Sequence, residues 1–206
     1  MVPDGAIALI QAGVVNGERK TLHPNKVIAA FVLGSKKLFD FIDNNPIFEF
    51  HPTAYCNDPF VIARNDRMVA INSAIEVDLT GQVCSDSMGQ MVYSGIGGQV
   101  DFLRGASRAK GGVPIIALPS TAKNGAVSRI AKMLQPGAGV VTSRGDVHYV
   151  VTEHGVAYLH GKTLRQRAEA LIQVADPRFR AELEEFAIQR KLLGADRATV
   201  SAPAAR

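Results

Sequence analysis

Hydrophobic positions along this chain switch repeatedly between the short period of a strand and the longer period of a helix. Residues 4–12, with Ile7, Leu9 and Ile10 ahead of Gly13, predict a short helix ended by a left-handed glycine. Residues 26–33, KVIAAFVL, are a nearly unbroken apolar run between Pro24 and Gly34, the pattern of a strand buried on both faces. SKKLFDFIDNNP follows as a helix, with Ser35 as N-cap, Leu38, Phe41 and Ile42 on one face and Pro46 as the stop. From Val69 the apolar positions Ile71, Ile75, Val77 and Leu79 recur every second residue, broken only at Ser73, which predicts one long strand and a hairpin turn at Thr80-Gly81. VPIIALPS (113–120) reads as another apolar strand, and GVVTS and VHYVVTE flank a turn at Arg144-Gly145-Asp146. Two amphipathic helices close the pattern, split at Asp176-Pro177, the first capped by Thr163 and the second ended by Gly194. Helices interleaved with apolar strands predict an α/β fold with a mixed, mainly parallel sheet flanked by helices. One domain is expected over residues 1–193, with 194–206 as a tail that has no periodicity.

Composition narrows the class. The chain has 206 residues, 47% of them hydrophobic, enough for a substantial core and far from disordered composition. No stretch approaches the roughly 18 consecutive apolar residues of a membrane span, and Asp4 stands where a secretion signal would carry basic residues, so a cytoplasmic or organelle-matrix protein without membrane partner is expected. Cys56 and Cys84 lack CxxC spacing and are expected as buried, reduced thiols. The formal charge is +4, and its distribution says more than the total. Between Asp101 and Lys132 stand Arg104, Arg108, Lys110, Lys123, Arg129 and Lys132 against the single acid Asp101. No aromatic residue follows Phe102 there, so the alternation of bases and stacking rings of a single-stranded nucleic-acid groove is missing; an anionic small molecule fits better, and a solvated basic face is the competing reading.

Two glycine-bearing stretches are candidates for chemistry. In YSGIGGQVDFLRGASRAKGG, Gly95, Gly97 and Gly98 precede a helix-compatible run, a way to bring bare amides and a helix start up to an anion or oxyanion. The spacing is neither GxGxxG with an acidic ribose partner nor GK[ST], so neither a nicotinamide-nucleotide site nor a phosphate loop is favoured. ALPSTAKNGAVSR leaves a strand through Pro119 and offers two hydroxyls, Lys123 and an Asn-Gly pair in which Gly125 can take positive φ. A plain turn competes with both readings. His148, His154 and His160 are evenly spaced, but Gly155 and Gly161 interrupt the elements, and no metal ligand is assigned. Glu76, buried, could act as base or nucleophile; its phase, shared with Asp78, instead places it on the solvent side of its strand.

Taken together, NDPFVIARNDRMVAINSAIEVDLTGQVCSDS, YSGIGGQVDFLRGASRAKGG, IIALPSTAKNGAVSRI and GAGVVTSRGDVHYVVTEHGVAYLHGKTLRQRAEALI resemble the C-terminal half of the acetyl-CoA hydrolase/CoA-transferase family, nearest to the 4-hydroxybutyrate and butyrate CoA-transferases. The resemblance implies a CoA-transferase (NagB/RpiA/CoA-transferase-like) fold and a ping-pong transfer of CoA between carboxylic acids through a glutamyl-CoA thioester, with acyl-CoA as substrate and no resident cofactor. It implies that Gly97, Gly98, Gln99, Asp101 and Phe102 belong to the block associated with CoA, and that the loop holding Gly125 supplies a main-chain amide near the thioester. Lys123 beside it suits a phosphate or carboxylate by its charge. The pattern departs at Cys84, where more distant relatives carry Asn. The family's nucleophilic glutamate aligns just before Met1, so none of the residues here is expected to be catalytic, and an N-terminal half is the expected partner, with a homo-oligomer as a further possibility. Hydrolysis of acetyl-CoA, or CoA binding without catalysis, are the alternatives.

Overall fold

The computed structural model of the chain describes residues 1–194, so the expected tail lies outside the described residues beyond Gly194. They form two compact units, one of residues 1–68 with 104–112 and one of residues 69–103 with 113 onward.

In the first unit, helix α1 (Gly5–Gln11) precedes strand β1 (Val27–Ala29), helix α2 (Lys36–Ile42), strand β2 (Phe48–Phe50) and two single-turn helices, α3 (Thr53–Cys56) and α4 (Pro59–Ile62). β1 and β2 pair in parallel, Ile28 opposite Glu49. Val2, Ile7, Ala29, Leu38 and Phe48 make its core. The run 26–33 is therefore not a strand buried on both faces: three residues pair with β2, Val32 bridges only Val2, and Phe31 is 56% and Leu33 66% exposed. Gly13 takes the predicted left-handed conformation at φ +71°. Ser35 sits ahead of α2, but its amide and hydroxyl donate to Asp4.

The second unit is larger. A four-stranded sheet runs in the order β13 (Gly155–Tyr158), β12 (Tyr149–Thr152), β8 (Val113–Ala117), β3 (Val69–Asn72). β3, β8 and β12 are parallel, and β13 returns antiparallel to β12. A second sheet joins β11 (Ile130–Ala131), β4 (Glu76–Asp78) and β5 (Val83–Cys84), and two small hairpins pair β6 (Ser87–Met88) with β7 (Met91–Val92) and β9 (Thr121–Ala122) with β10 (Val127–Ser128). Antiparallel ladders thus stand beside parallel ones in a mixed sheet system. The long strand predicted from Val69 is two strands in different sheets, and the break falls at Ser73, where the alternation failed.

Helix α5 (Gln99–Arg108) begins in this unit, and α6 (Leu164–Gln173) and α7 (Pro177–Gln189) follow the sheet. Thr163 and Gln166 form a reciprocal capping box on α6, and Asp176 caps α7 by accepting from Arg178 N–H. α7 ends at Gln189, short of Gly194. Val77, Leu79, Val83, Leu103, Ile116, Ile130, Val147, Val150, Leu159 and Leu171 are fully buried, each contributing roughly 1.5–3 kcal/mol of transfer free energy. The core uses one face of the four-stranded sheet: Ile116, Val150 and Ala157 point inward, while Val69, Ile71, Val156 and Tyr158, on the opposite face by register, are exposed. No helix among the described residues is long and apolar enough to cross a membrane.

Candidate functional site

Because β3, β8 and β12 run parallel, the segments that leave them at Ser73, Ser120 and Glu153 emerge at one carboxyl edge, the edge where open α/β sheets hold ligands. Both glycine-bearing stretches reach this edge. Gln99, at the start of α5, is buried, and its amide is bonded on both sides. Nε2 donates to the Ser73 carbonyl at 2.7 Å and to Ser85 Oγ at 3.0 Å, while Oε1 accepts from Thr142 Oγ1 at 2.7 Å. Gln99 therefore pins the beginning of α5 to the end of β3 rather than offering its side chain outward. Gly97 and Gly98 lead into it. Gly97 has φ +60°, and a Cβ there would meet nothing within 4 Å, so backbone conformation and not crowding calls for glycine. The first amides of α5 have no partner inside the helix and form the positive end of its dipole.

The second stretch is anchored by Ser120, which is fully buried. Its amide donates to Glu153 Oε2 at 2.9 Å and its hydroxyl to Oε1 at 2.5 Å. The Ser120 hydroxyl, with the Glu153 and Ser120 amides, holds this carboxyl below its ordinary range against the smaller opposing effect of burial. Beyond Ser120 the chain forms the β9–β10 hairpin, and its turn places Lys123, Asn124 and Gly125 in succession at φ +50°, +56° and +85°. Such conformations cost of order 1–3 kcal/mol at a non-glycine residue, so the surroundings must hold the turn. One such hold is visible: Gly125 N–H donates to Ala122 O at 3.1 Å. Crowding also matters, since a Cβ at Gly125 would lie 2.8 Å from Arg178 Nη2. The Arg178 guanidinium is paired with Asp176 at 3.0 and 2.8 Å and lowers that carboxyl to about 2. Lys123 is exposed. Arg129 ties the turn to the strand ends: its amide donates to Ser120 O at 2.8 Å and Nη1 to Ala74 O at 3.3 Å. Its Nε, and Asn72 Nδ2 at the end of β3, are buried without a hydrogen-bond partner among the described residues.

Several residues stand elsewhere than the sequence implied. Glu76 is not on a solvent face: Glu76, Val77 and Asp78 are all buried, because β4 is the middle strand of its sheet. Burial raises the Glu76 carboxyl and Asp78 adds to the effect, while an accepted bond from Gln135 N–H at 2.8 Å opposes it. Cys84 is fully buried, its thiol directed to Ser87 O at 3.1 Å, whereas Cys56 is partly exposed. The basic stretch is not wholly a free positive face, since Arg129 is engaged as above and Lys132 pairs with Glu182 at 2.5 Å. His148 and His160 meet across the β12–β13 hairpin with ring centroids 4.0 Å apart, and His154 stands beside Glu153 instead. Burial, then His160, depress the His148 imidazole against Asp146.

The sequence pattern does not mark Glu153, Asn72 or Arg178, and it marks Arg129 only as one member of the basic stretch. Glu153 carries a usable signal, since it is the first residue after an apolar strand. Arg178 had none, because only the packing of α7 brings it to the Gly125 turn.

Residues 34–187 match the model of the acetyl-CoA hydrolase/transferase C-terminal domain. The 4-hydroxybutyrate coenzyme A transferase of Clostridium kluyveri is 57% identical over 183 residues, 89% of this chain and 43% of that protein. A succinyl-CoA:acetate/propanoyl-CoA:succinate CoA transferase of Fasciola hepatica is 54% identical over 92% of this chain and 40% of its own length. Among solved structures, the 4-hydroxybutyrate CoA-transferase from Porphyromonas gingivalis superposes with a TM-score of 0.79 at 52% identity, and RipA from Yersinia pestis with 0.87 at 41%, each over 93% of this chain. The chain spans 44% and 43% of those two structures, so it corresponds to less than half of each relative.

Proposed function

This chain belongs to the acetyl-CoA hydrolase/transferase family, and we propose that it supplies the C-terminal part of a CoA-transferase site that moves CoA between an acyl-CoA and a small carboxylate of the acetate, butyrate or 4-hydroxybutyrate type. The observation that carries the reading is the placement of the Gly97–Gln99 segment and the Ser120–Gly125 turn at the same carboxyl edge of β3, β8 and β12, with Glu153 and Arg129 bracing the turn.

A glutamate carboxylate attacks the acyl-CoA carbonyl, and the tetrahedral intermediate collapses to an acyl-glutamyl anhydride with release of CoA thiolate. The thiolate attacks the glutamyl carbonyl, releasing the first acid and leaving a glutamyl-CoA thioester. The acceptor carboxylate then attacks that thioester, and the freed thiolate takes the new acyl group and restores the glutamate. Each collapse passes through an oxyanion, for which fixed amide donors are the strongest lever. In this reading the amides at the start of α5 and in the Gly125 turn serve those oxyanions, the latter by exchanging its bond to Ala122 O for one to the reacting oxygen. Lys123 takes a CoA phosphate or the acceptor carboxylate. The nucleophile is assigned outside residues 1–194 on the family resemblance, which aligns its glutamate ahead of Met1; Glu76, sealed in the interior, and Glu153, held by Ser120, are not given that role. An N-terminal half of the kind the relatives contain is the partner, and the NagB/RpiA/CoA-transferase-like fold is the architecture this reading adopts.

The test is a calorimetric titration with CoA, alone and after adding the portion of the C. kluyveri enzyme that precedes its matched region. Binding that appears or tightens with the added half, and weakens about tenfold in Lys123→Ala, is the expected result. Binding unchanged by Lys123→Ala and by Gly125→Ala would remove this edge as the CoA site. Acyl transfer by the chain alone would refute the assignment of the nucleophile, and thioester loss to water exceeding transfer at saturating acetate would favour the hydrolase reading.

A further inference from the structure

The unit of residues 1–68 and 104–112 carries a cluster that the CoA chemistry leaves unused. Glu49 on β2 and His51 just beyond it are two residues apart in extended backbone, so their side chains leave the same face. His23 comes from the loop before β1, held at φ +49°. Glu49 Oε2 lies 3.1 Å from His23 Nδ1 and 3.5 Å from His51 Nε2, and the three ligand atoms all fall within 4.8 Å of one another. We propose that His23 Nδ1, Glu49 Oε2 and His51 Nε2 form a binding site for a divalent cation of the zinc, cobalt and nickel class.

Four observations support it. First, donors around a tetrahedral zinc with bonds of about 2.0–2.1 Å stand roughly 3.3 Å apart, so the 3.1 and 3.5 Å separations already match, and only small movements complete the set. Second, His51 Nε2 is buried and has no hydrogen-bond partner among the described residues. A buried ring nitrogen is ordinarily satisfied, and Glu49 at 3.5 Å does not meet the geometry for it. Third, His23 Nε2 is in hydrogen-bond contact with Tyr55 Oη at 2.7 Å. When Nε2–H is the donor, this contact fixes the ring with the Nδ1 lone pair directed to the site, as outer bonds commonly do for metal-ligating histidines. Fourth, Lys26 Nζ approaches the other carboxylate oxygen, Oε1, at 3.5 Å, leaving Oε2 as a single-oxygen ligand. Two imidazoles with one carboxylate select borderline cations, whereas calcium and magnesium prefer sets made of oxygen.

The experiment is a titration of the metal-stripped chain with zinc chloride by calorimetry, repeated with cobalt chloride and read by visible absorption. One equivalent bound, with cobalt bands of tetrahedral intensity, is expected. Glu49→Gln and His51→Gln should each weaken binding at least tenfold while metal-free circular dichroism and melting stay unchanged. If His51→Gln does not fold, His23→Gln carries the same expectation from an irregular loop. His160→Gln, which removes the stacked pair of the other unit, should leave the titration as it was. No stoichiometric binding, binding retained in both Glu49→Gln and a histidine variant, or binding lost instead in His160→Gln would each overturn the assignment.

Discussion

Replacing Glu76 by glutamine removes a charge from the interior while leaving its hydrogen bond in place. Glu76 is 5% exposed, and Oε1 accepts Gln135 N–H at 2.8 Å; the carbonyl oxygen of glutamine can accept the same bond. What disappears is the desolvated charge and its repulsion by Asp78, a carboxylate itself buried and satisfied by Thr80 and Gln82. Since burial raises the folded carboxyl above its unfolded value, the stability linked to Glu76 is fully present below about pH 4.3 and is lost as pH rises through the folded value. Every unit of separation corresponds to about 1.36 kcal/mol, and exchanging a charge-assisted bond for a neutral one returns roughly 1 kcal/mol in the other direction. Glu76→Gln should therefore be within about 1 kcal/mol of the parent at pH 7.5 and less stable than it near pH 4.5. Glu76→Ala, which leaves the Gln135 amide buried without an acceptor, should cost about 1–3 kcal/mol at every pH. Urea unfolding of the three proteins at several pH values between 4.5 and 7.5 measures this. A Glu76→Gln minus parent difference that is flat, or that falls as pH rises, would refute the buried-charge account. In the assembled enzyme Glu76→Gln should retain transfer activity, and its abolition would reassign the nucleophile to Glu76.

Ser120→Ala deletes the hydroxyl bond to Glu153; because that carboxylate is half exposed, the loss should be about 1 kcal/mol in unfolding, with a larger proportional loss in CoA binding as the turn loosens. The Glu153 carboxyl is depressed, so this contribution is present above about pH 4.3 and disappears as pH falls through the folded value, which denaturation of the parent and Ser120→Ala at pH 3–6 would reveal. The exposed apolar face formed by Val69, Ile71, Val156 and Tyr158 should drive self-association, so sedimentation is expected to show oligomers that Ile71→Glu reduces without lowering the melting temperature. A parent that stays monomeric at high concentration would contradict this.

Local patterns were read well where one face of an element decides its fate. Thr163 followed by Gln166, and Asp176 followed by Pro177, are caps whose partners lie within three residues, so α6 and the start of α7 could be placed from sequence. Reading failed where burial depends on a distant neighbour. The run at 26–33 looked like an interior strand, but only three of its residues pair with β2. Glu76 carried the phase of a solvent position, yet β4 is covered by β11 and β5.

By itself, the sequence determined the α/β class, the two glycine-bearing segments and, through long ordered motifs, the family, because each is recorded in neighbouring residues or in long contiguous blocks. Tertiary structure decided which groups meet. Glu153 holds Ser120 across 33 positions, Arg178 reaches the Gly125 turn from α7, and His23 joins Glu49 and His51 only through the β1–β2 unit. Such encounters leave no periodic trace, since hydrophobic spacing reports which face of an element is buried and not what is buried against it.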